Sequence, residues 1–253
     1  MSVGRVWLIG AGPGDPGLIS VKGLRKVRDA DVVVYDRLVS KALLEEARPE
    51  AELIDVGKSP KHHRLNQDEI EQLLIMKAQE GKKVVRLKGG DPCVLGRGGE
   101  ELVALAEAGI EVRVVPGISS ALAAPECAGI PVTYRGKSSS FAVVTGREAA
   151  SKDEGIVDLE SMAKAVDTII VLMSVGVLEK NVGRLLDGGL EASTPAAVIE
   201  WGTTEKQRVI EGTLHTIVEA AHKAGVRSPA VLVVGQVVEI RQQLKKHLGC
   251  VFI

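Results

Sequence analysis

The chain has 253 residues, 45% of them hydrophobic, with a mean hydropathy of +0.14; that is enough apolar side chain for one long or two short packed domains and argues against a disordered chain. Its 32 Lys and Arg stand against 33 Asp and Glu, and it holds only two each of Phe, Trp and Tyr. Proteins that coat nucleic acid or an anionic membrane are normally strongly basic, and readers of single strands stack bases on aromatic faces, so the composition speaks against both classes.

Taken in chain order, β-branched runs predict strands at residues 6–9, 32–35, 53–56, 84–87 and 112–115. Helical stretches lie between several of them, at 66–80 and 98–108, and a small-residue helix is expected at 118–128. Asn66 and Glu69 have the spacing of a capping box, with a side-chain acceptor at the helix start and a carboxylate three residues on. Strands of near-continuous Val, Ile and Leu alternating with helices indicate a parallel sheet covered on both faces. Residues 131–140 are polar, carry Pro and Gly, and read as an interdomain linker. Beyond them, strands are expected at 141–145, 168–173, 196–201, 207–211 and 230–234, and helices at 175–186 and 214–224. The economical architecture is α/β: two α/β domains, residues 1–132 and 133–253, with mostly parallel or mixed sheets and a ligand cleft between them.

No run reaches the ~18 apolar residues of a membrane helix. A strand-like segment near Met1 leaves no room for a signal peptide, and the expected location is the cytoplasm. Cys93, Cys127 and Cys250 are widely spaced and form no CxxC pair, so they read as reduced thiols rather than a disulfide framework or a zinc cage.

Four segments carry chemistry. The first is Gly10-Ala11-Gly12-Pro13-Gly14-Asp15-Pro16-Gly17, directly after the first strand. A dinucleotide fold also places glycines there, with Asp31 or Asp36 near the distance of a ribose-binding acid. However, Asp15 stands where the third glycine belongs, and Pro13 and Pro16 spoil the close helix start. A ligand-free turn accounts for this segment equally well. The second runs from Arg86-Leu87-Lys88-Gly89-Gly90-Asp91-Pro92 to Gly98-Gly99-Glu100-Glu101. Glycines at a strand's C-terminal end let backbone approach a ligand, and Asp91 can accept from ribose hydroxyls. The plain alternative is a structural loop in which Arg97 pairs with Glu100 or Glu101. The third is Pro116-Gly117-Ile118-Ser119-Ser120, where Ser119 also reads as an ordinary helix cap. The fourth, residues 57–64, gathers Lys58, Lys61 and Arg64 beside His62 and His63. It is either a solvated loop or a clamp for a polycarboxylate, and its histidine spacing assigns no metal.

Together these segments resemble the tetrapyrrole methylases: GAGPGDPGLIS, YDRLVS, VGK, VVRLKGGDP, GRGGEE, VPGISSA, GIPVTYRG, WGTTEKQRVIEGTL and SPAVLVVG occur in that family's order over residues 4–240. The resemblance implies a two-domain homodimer of the class III methyltransferase type, not a Rossmann fold, that binds S-adenosyl-L-methionine and no metal. It implies a small-molecule tetrapyrrole substrate, methylated at C-2 and then C-7 of uroporphyrinogen III, with the product feeding sirohaem and cobalamin-type pigments. It places cofactor contacts on Pro13, Gly89, Gly90, Asp91, Val94, Ser119 and Ser120, and in the second half on Met173, Gly202 and Ala230. Its acid–base pair falls on Asp36 and Lys58. Lys61, Arg64, Arg97 and Arg135 are candidates for a positive rim toward the substrate's carboxylates. The family often has His where Tyr134 and Arg147 stand here.

Three other readings stay open: a later methylase of the same family acting on a cobalt-corrinoid ring, a nicotinamide-dependent oxidoreductase resting on Gly10, Gly12 and Asp31 or Asp36, and a non-catalytic nucleotide-binding regulator.

Overall fold

The computed structural model describes residues 3–57, 65–147 and 157–248. The chain forms two compact units, Met1–Ser119 and Ser120–Ile253.

The first unit alternates strand and helix: β1 (Arg5–Gly10), α1 (Val21–Arg28), β2 (Val32–Tyr35), α2 (Lys41–Leu44), β3 (Glu52–Asp55), α3 (Gln67–Gln79), β4 (Lys83–Lys88), α4 (Gly98–Glu107) and β5 (Glu111–Val115). The strands pair in the order β3-β2-β4-β1-β5, every pair parallel. Side chains alternate between the faces. Trp7, Ile9, Val33, Val85 and Leu87 pack with Val27 of α1 and Leu43 of α2. Val6, Leu8, Val32, Val34 and Val84 pack with Ile70 and Leu74 of α3 and Leu105 of α4. Both faces are thus sealed mainly by aliphatic side chains, with Trp7 the aromatic exception on one of them, and each contributes about 1.5–3 kcal/mol when fully buried. The predicted capping box forms: Asn66 Oδ1 accepts the Glu69 N–H at 2.9 Å, and Glu69 Oε2 accepts the Asn66 N–H at 2.6 Å.

The second unit contains α5 (Ser120–Cys127), β6 (Phe141–Thr145), α6 (Leu159–Ala165), β7 (Thr168–Leu172), α7 (Leu178–Asp187), β8 (Pro195–Glu200), β9 (Arg208–Thr213), α8 (Ile217–Lys223), β10 (Ala230–Val234) and α9 (Val238–Leu248). Its sheet, β6-β7-β10-β8-β9, is mixed: β6 and β7 are parallel, and the other neighbours antiparallel.

The units divide at Ser119/Ser120, ahead of the boundary expected at 132/133. Ala121 and Ala124 of α5, with Ala128 and Ile130, are buried against Ile170, Ala197, Ile199, Val231 and Val233 of the second sheet. Residues 131–140 are not a free linker either. Tyr134 and Ser138 form a β-bridge, and the Ser138 hydroxyl meets that of Thr168 at 2.8 Å in a buried hydrogen bond. Two expected strands stop one residue early, β7 before Met173 and β8 before Trp201, because these residues turn to φ 56° and 50°. The helix expected from 175 begins as a 3-10 turn at Val175–Val177 and becomes α-helical at Leu178.

Candidate active site

In the first sheet β1 lies between β4 and β5. The chain leaves β1 past β4 to reach β2, and leaves β4 past β1 to reach β5. The two connections run over opposite faces, α1 on one and α4 on the other. The carboxyl ends of β1 and β4 are therefore a topological switch point, the place where open α/β sheets bind ligands.

The backbone at this edge is bare and tightly joined. Gly12 and Gly90 exchange hydrogen bonds, Gly90 N–H to Gly12 O at 2.7 Å and Gly12 N–H to Gly90 O at 3.2 Å. A Cβ on Gly10 would stand 2.4 Å from Gly117 Cα and 2.6 Å from Gly90 O, and one on Gly117 would stand 2.3 Å from Gly90 O. Only glycine permits this approach. Gly12 and Gly90 also take φ of 82° and 69°, a region that side chains with Cβ rarely adopt. Pro13 lies partly buried in the first of these loops. Asp91 locks the edge: Oδ2 accepts the Gly117 N–H at 3.0 Å, and Oδ1 accepts those of Cys93 and Val94 at 2.8 and 3.2 Å. Gly89 is open, with only Leu38 Cβ near a Cβ built on it, at 3.3 Å. Leu38, Val94, Leu95 and Ile118 leave exposed apolar surface in these strand-end loops.

Asp36 follows β2 at the same edge, its N–H bonded to Leu87 O of β4 at 3.2 Å. Its carboxylate, about a third exposed, accepts from Arg86 Nη2 at 2.6 Å. Behind it lies a charge cluster that the sequence reading did not assign. Arg86, Lys88 and Glu101 are all nearly or fully inaccessible. Glu101 Oε1 accepts from Lys88 Nζ at 2.7 Å, Arg86 Nε at 3.2 Å and Gln67 Nε2 at 3.3 Å. Burial, and secondly the charge of Arg86, hold Lys88 below the usual lysine pKa, while Glu101 opposes both. The available signal was period two: Val84, Arg86 and Lys88 share one face of a strand whose other face carries Val85 and Leu87, so two cations point into a covered layer.

In the second unit, β7 and β8 end at one edge of the sheet and β10 begins there, with Val231 opposite Leu172 and Ala230 opposite Glu200. Met173, Gly202 and Ala230 are thereby brought to a common edge. Met173 is half exposed. Gly202 packs so closely on α5 that a Cβ would stand 2.4 Å from Ala124 Cβ. The Trp201 N–H bonds Pro229 O at 3.0 Å, joining the loop after β8 to the entry of β10. Ser119 and Ser120 flank the division between the units, Ser120 opening α5.

The remaining candidates fall elsewhere. Lys58, Lys61 and Arg64 lie outside the described residues, although the preceding Gly57 abuts Arg37, a Cβ there standing 2.6 Å from Arg37 N. Arg97 is exposed and bonds Glu100 through Nε at 2.8 Å, whereas Glu101 turns inward to the cluster. Arg135 is exposed in the turn between Tyr134 and Ser138. Asp31 lies at the opposite, amino end of β2, accepting the Lys83 N–H at 2.7 Å and Arg48 Nη2 at 2.5 Å, so it is no ribose acid for the glycine edge. Nor does a helix start in the glycine turn. Asp15 caps a 3-10 turn at Pro16–Leu18, and α1 starts only at Val21, capped by Ser20. Asp36, the other acid considered, does lie at this edge, but it is held by Arg86, and the close helix start that a dinucleotide fold needs is missing. Among the described residues no cluster of His, Cys, Asp or Glu is placed to hold a metal ion, and no helix is long and apolar enough to cross a membrane.

Residues 5–218 match the family of tetrapyrrole (corrin/porphyrin) methylases. A uroporphyrinogen-III C-methyltransferase of Methanocaldococcus jannaschii is 54% identical over 238 residues, which are 94% of this chain and 98% of that protein. A crystal structure of uroporphyrin-III C-methyl transferase from Thermus thermophilus complexed with S-adenyl homocysteine superposes with a TM-score of 0.79 at 40% identity, covering 94% of each chain. A cobalt precorrin-4 methyltransferase superposes with a TM-score of 0.82 at 30% identity, covering 92% of this chain and 95% of that one.

Proposed function

The chain belongs to the tetrapyrrole methylase family, and from this premise we propose that it methylates uroporphyrinogen III at C-2 and then C-7, with S-adenosyl-L-methionine as donor, to give precorrin-2 by way of precorrin-1. The observation that carries the reading is Asp36, held by buried Arg86 at the same carboxyl edge as the glycine turns. Among the solved structures, the 40% identity to the uroporphyrin-III enzyme against 30% to the cobalt precorrin-4 enzyme favours the early, metal-free ring over the later one.

The residues present fit the donor. At Gly10 and Gly117 a Cβ would collide with backbone, while at Gly89 the surface is open enough for a ligand to lie against main chain. Pro13, Gly89, Gly90, Asp91 and Val94 of the first unit would hold it, with Ser119, Ser120, Met173, Gly202 and Ala230 as the further candidates. When bound, S-adenosyl-L-methionine supplies a methyl made electrophilic by its sulfonium. The protein's task is chiefly positioning, since alignment of the two reactants removes much of the barrier. Asp36, a carboxylate at a strand end, accepts the proton that leaves the bridge carbon beside the methylated pyrrole. Lys58 is proposed as its acid partner or as an anchor for a substrate carboxylate. Lys61, Arg64, Arg97 and Arg135 are proposed to meet other carboxylates of the substrate, Arg97 exchanging its Glu100 partner to do so. A homodimer in the cytoplasm completes the proposal, supported by the family resemblance.

Anaerobic incubation with uroporphyrinogen III and S-adenosyl-L-methionine, followed by mass, tests it. Two added methyl groups are expected; methylation of a cobalt-bound ring alone selects the later enzyme instead. Tight NADH binding with no affinity for S-adenosylhomocysteine overturns the methylase reading altogether.

A further inference from the structure

We propose that Glu101 is a positioning residue for Asp36, acting through Arg86 as the buried anchor of a charge relay that ends at the active edge. The inference rests on the reading of Asp36 as the base. Glu101 is fully inaccessible, and its Oε1 receives Lys88, Arg86 and Gln67, while Oε2 has no partner among the described residues. Arg86 is gripped at Nε by Glu101 and at Nη2 by Asp36, and its Nη1 likewise has no partner among the described residues. A guanidinium is a rigid planar fork, so fixing Nε fixes the direction of Nη2. Asp36, by contrast, is about a third exposed on a loop, and its side chain has χ freedom that this one contact limits.

The charges also explain why the anchor is an acid. Arg86 and Lys88 lie two residues apart on one strand face and repel one another. Glu101 between them, with Asp36 at the end, balances two cations with two anions. A buried cation without its counter-charge is strongly disfavoured, so removing Glu101 would leave Arg86 to reorient toward Asp36 or water. The cluster is a poor device for stability, because apolar residues of similar volume would fill the layer as well. It is a good device for holding one geometry. Glu100, the adjacent carboxylate, faces outward to Arg97 and feels Lys88 only through space.

The test is a cycle of variants in the full chain. Glu101→Gln keeps an acceptor but loses the charge. Lys88→Met with Glu101→Met removes one charge of each sign, and so keeps a charge-balanced protein in the test if the single change unfolds it. Each is combined with Asp36→Asn, and kcat, KM for S-adenosyl-L-methionine and S-adenosylhomocysteine affinity are measured. Misplaced reacting groups lose rate rather than binding, so kcat is expected to fall roughly 10–100-fold in the Lys88→Met/Glu101→Met protein, with KM and affinity unchanged. Glu101→Gln is expected to fall less. In the Asp36→Asn background neither change should lower kcat further, because a residue that works through Asp36 has nothing left to position. Full kcat in Lys88→Met/Glu101→Met, or losses that simply add to that of Asp36→Asn, overturns the inference and leaves the base assignment standing. Full kcat in Asp36→Asn alone overturns the base assignment and the inference with it.

Discussion

Gly10 and Gly117, at the ends of neighbouring parallel strands β1 and β5, face one another so closely that a Cβ on either would stand 2.4–2.6 Å from the other's Cα. This contact draws the loop after β5 against the loops after β1 and β4, and makes the edge a single surface. Gly117→Ala forces these backbones apart. Overpacking of this kind costs about 1–3 kcal/mol, which lowers the melting temperature by roughly 2–4 °C per kcal/mol in a protein of this size. S-adenosylhomocysteine affinity measured by calorimetry is expected to fall with it. An unchanged affinity would remove the edge from the donor site.

Asp36→Asn preserves shape and hydrogen-bond acceptance toward Arg86 while removing the base. Loss of general-base catalysis is expected to lower kcat by about 10²–10⁴-fold with donor affinity intact. Steady-state methyl transfer beside calorimetry separates the two effects, and a variant of full activity would withdraw Asp36 from the chemistry.

Asp91 spends both carboxylate oxygens on main-chain N–H groups, those of Gly117, Cys93 and Val94. Asp91→Ala unties two loops at once and leaves three N–H donors to find water. A loss of about 1–3 kcal/mol in donor affinity is expected, with a smaller effect on melting because the loops are partly exposed. Titration with S-adenosylhomocysteine reads this directly.

Gly202 and Ala124 share one small contact between the loop after β8 and α5. Gly202→Ala is expected to destabilise the second unit, and adding Ala124→Gly to restore most of the loss, since the new methyl then occupies the old one's place. Melting temperatures of the two single variants and the double settle it; strictly additive losses would mean that the contact is not the reason for the glycine.

Asp31 has its pKa lowered first by the Lys83 N–H and also by Arg48, against an opposing effect of burial. A carboxylate with a folded pKa below its unfolded value contributes stability above the unfolded value, and loses it as pH falls through the folded one. Asp31→Asn should therefore be less stable than the parent at neutral pH, with the gap closing as pH falls below about 4. Urea titrations at pH 7 and near pH 3 measure the difference, and a gap that widens in acid contradicts the sign.

Much of this molecule was legible in the residues alone. The runs beginning at Val6, Val32 and Val84 form parallel strands because their apolar side chains have a covered layer on either face. The glycine turns after β1 and β4 were recognisable because few other sequences suit a strand end that must approach its neighbours. Less legible was the division between units. The polar residues 131–140 look like a linker, but an isolated view of them cannot show that Ser138 has Thr168 as a buried partner. Residue type alone marks Asp91 as a ligand acceptor, and the fold supplies three backbone N–H groups that compete for it.

By itself the sequence determined the α/β class and the ordered motifs, which depend on residue type and short spacing; the candidate base Asp36 is what the family resemblance carried by those motifs implies. Only the tertiary structure decided that Arg86, Lys88 and Glu101 form one buried cluster behind Asp36, and that Glu101 rather than Glu100 joins it. The physical reason is that a charge's role depends on which opposite charge lies within a few ångströms once water is excluded, and that partner comes from a helix, α4, beyond the strand. Side-chain alternation along β4 points two cations inward; the packing of α4 over that face supplies the acid that makes their burial tolerable.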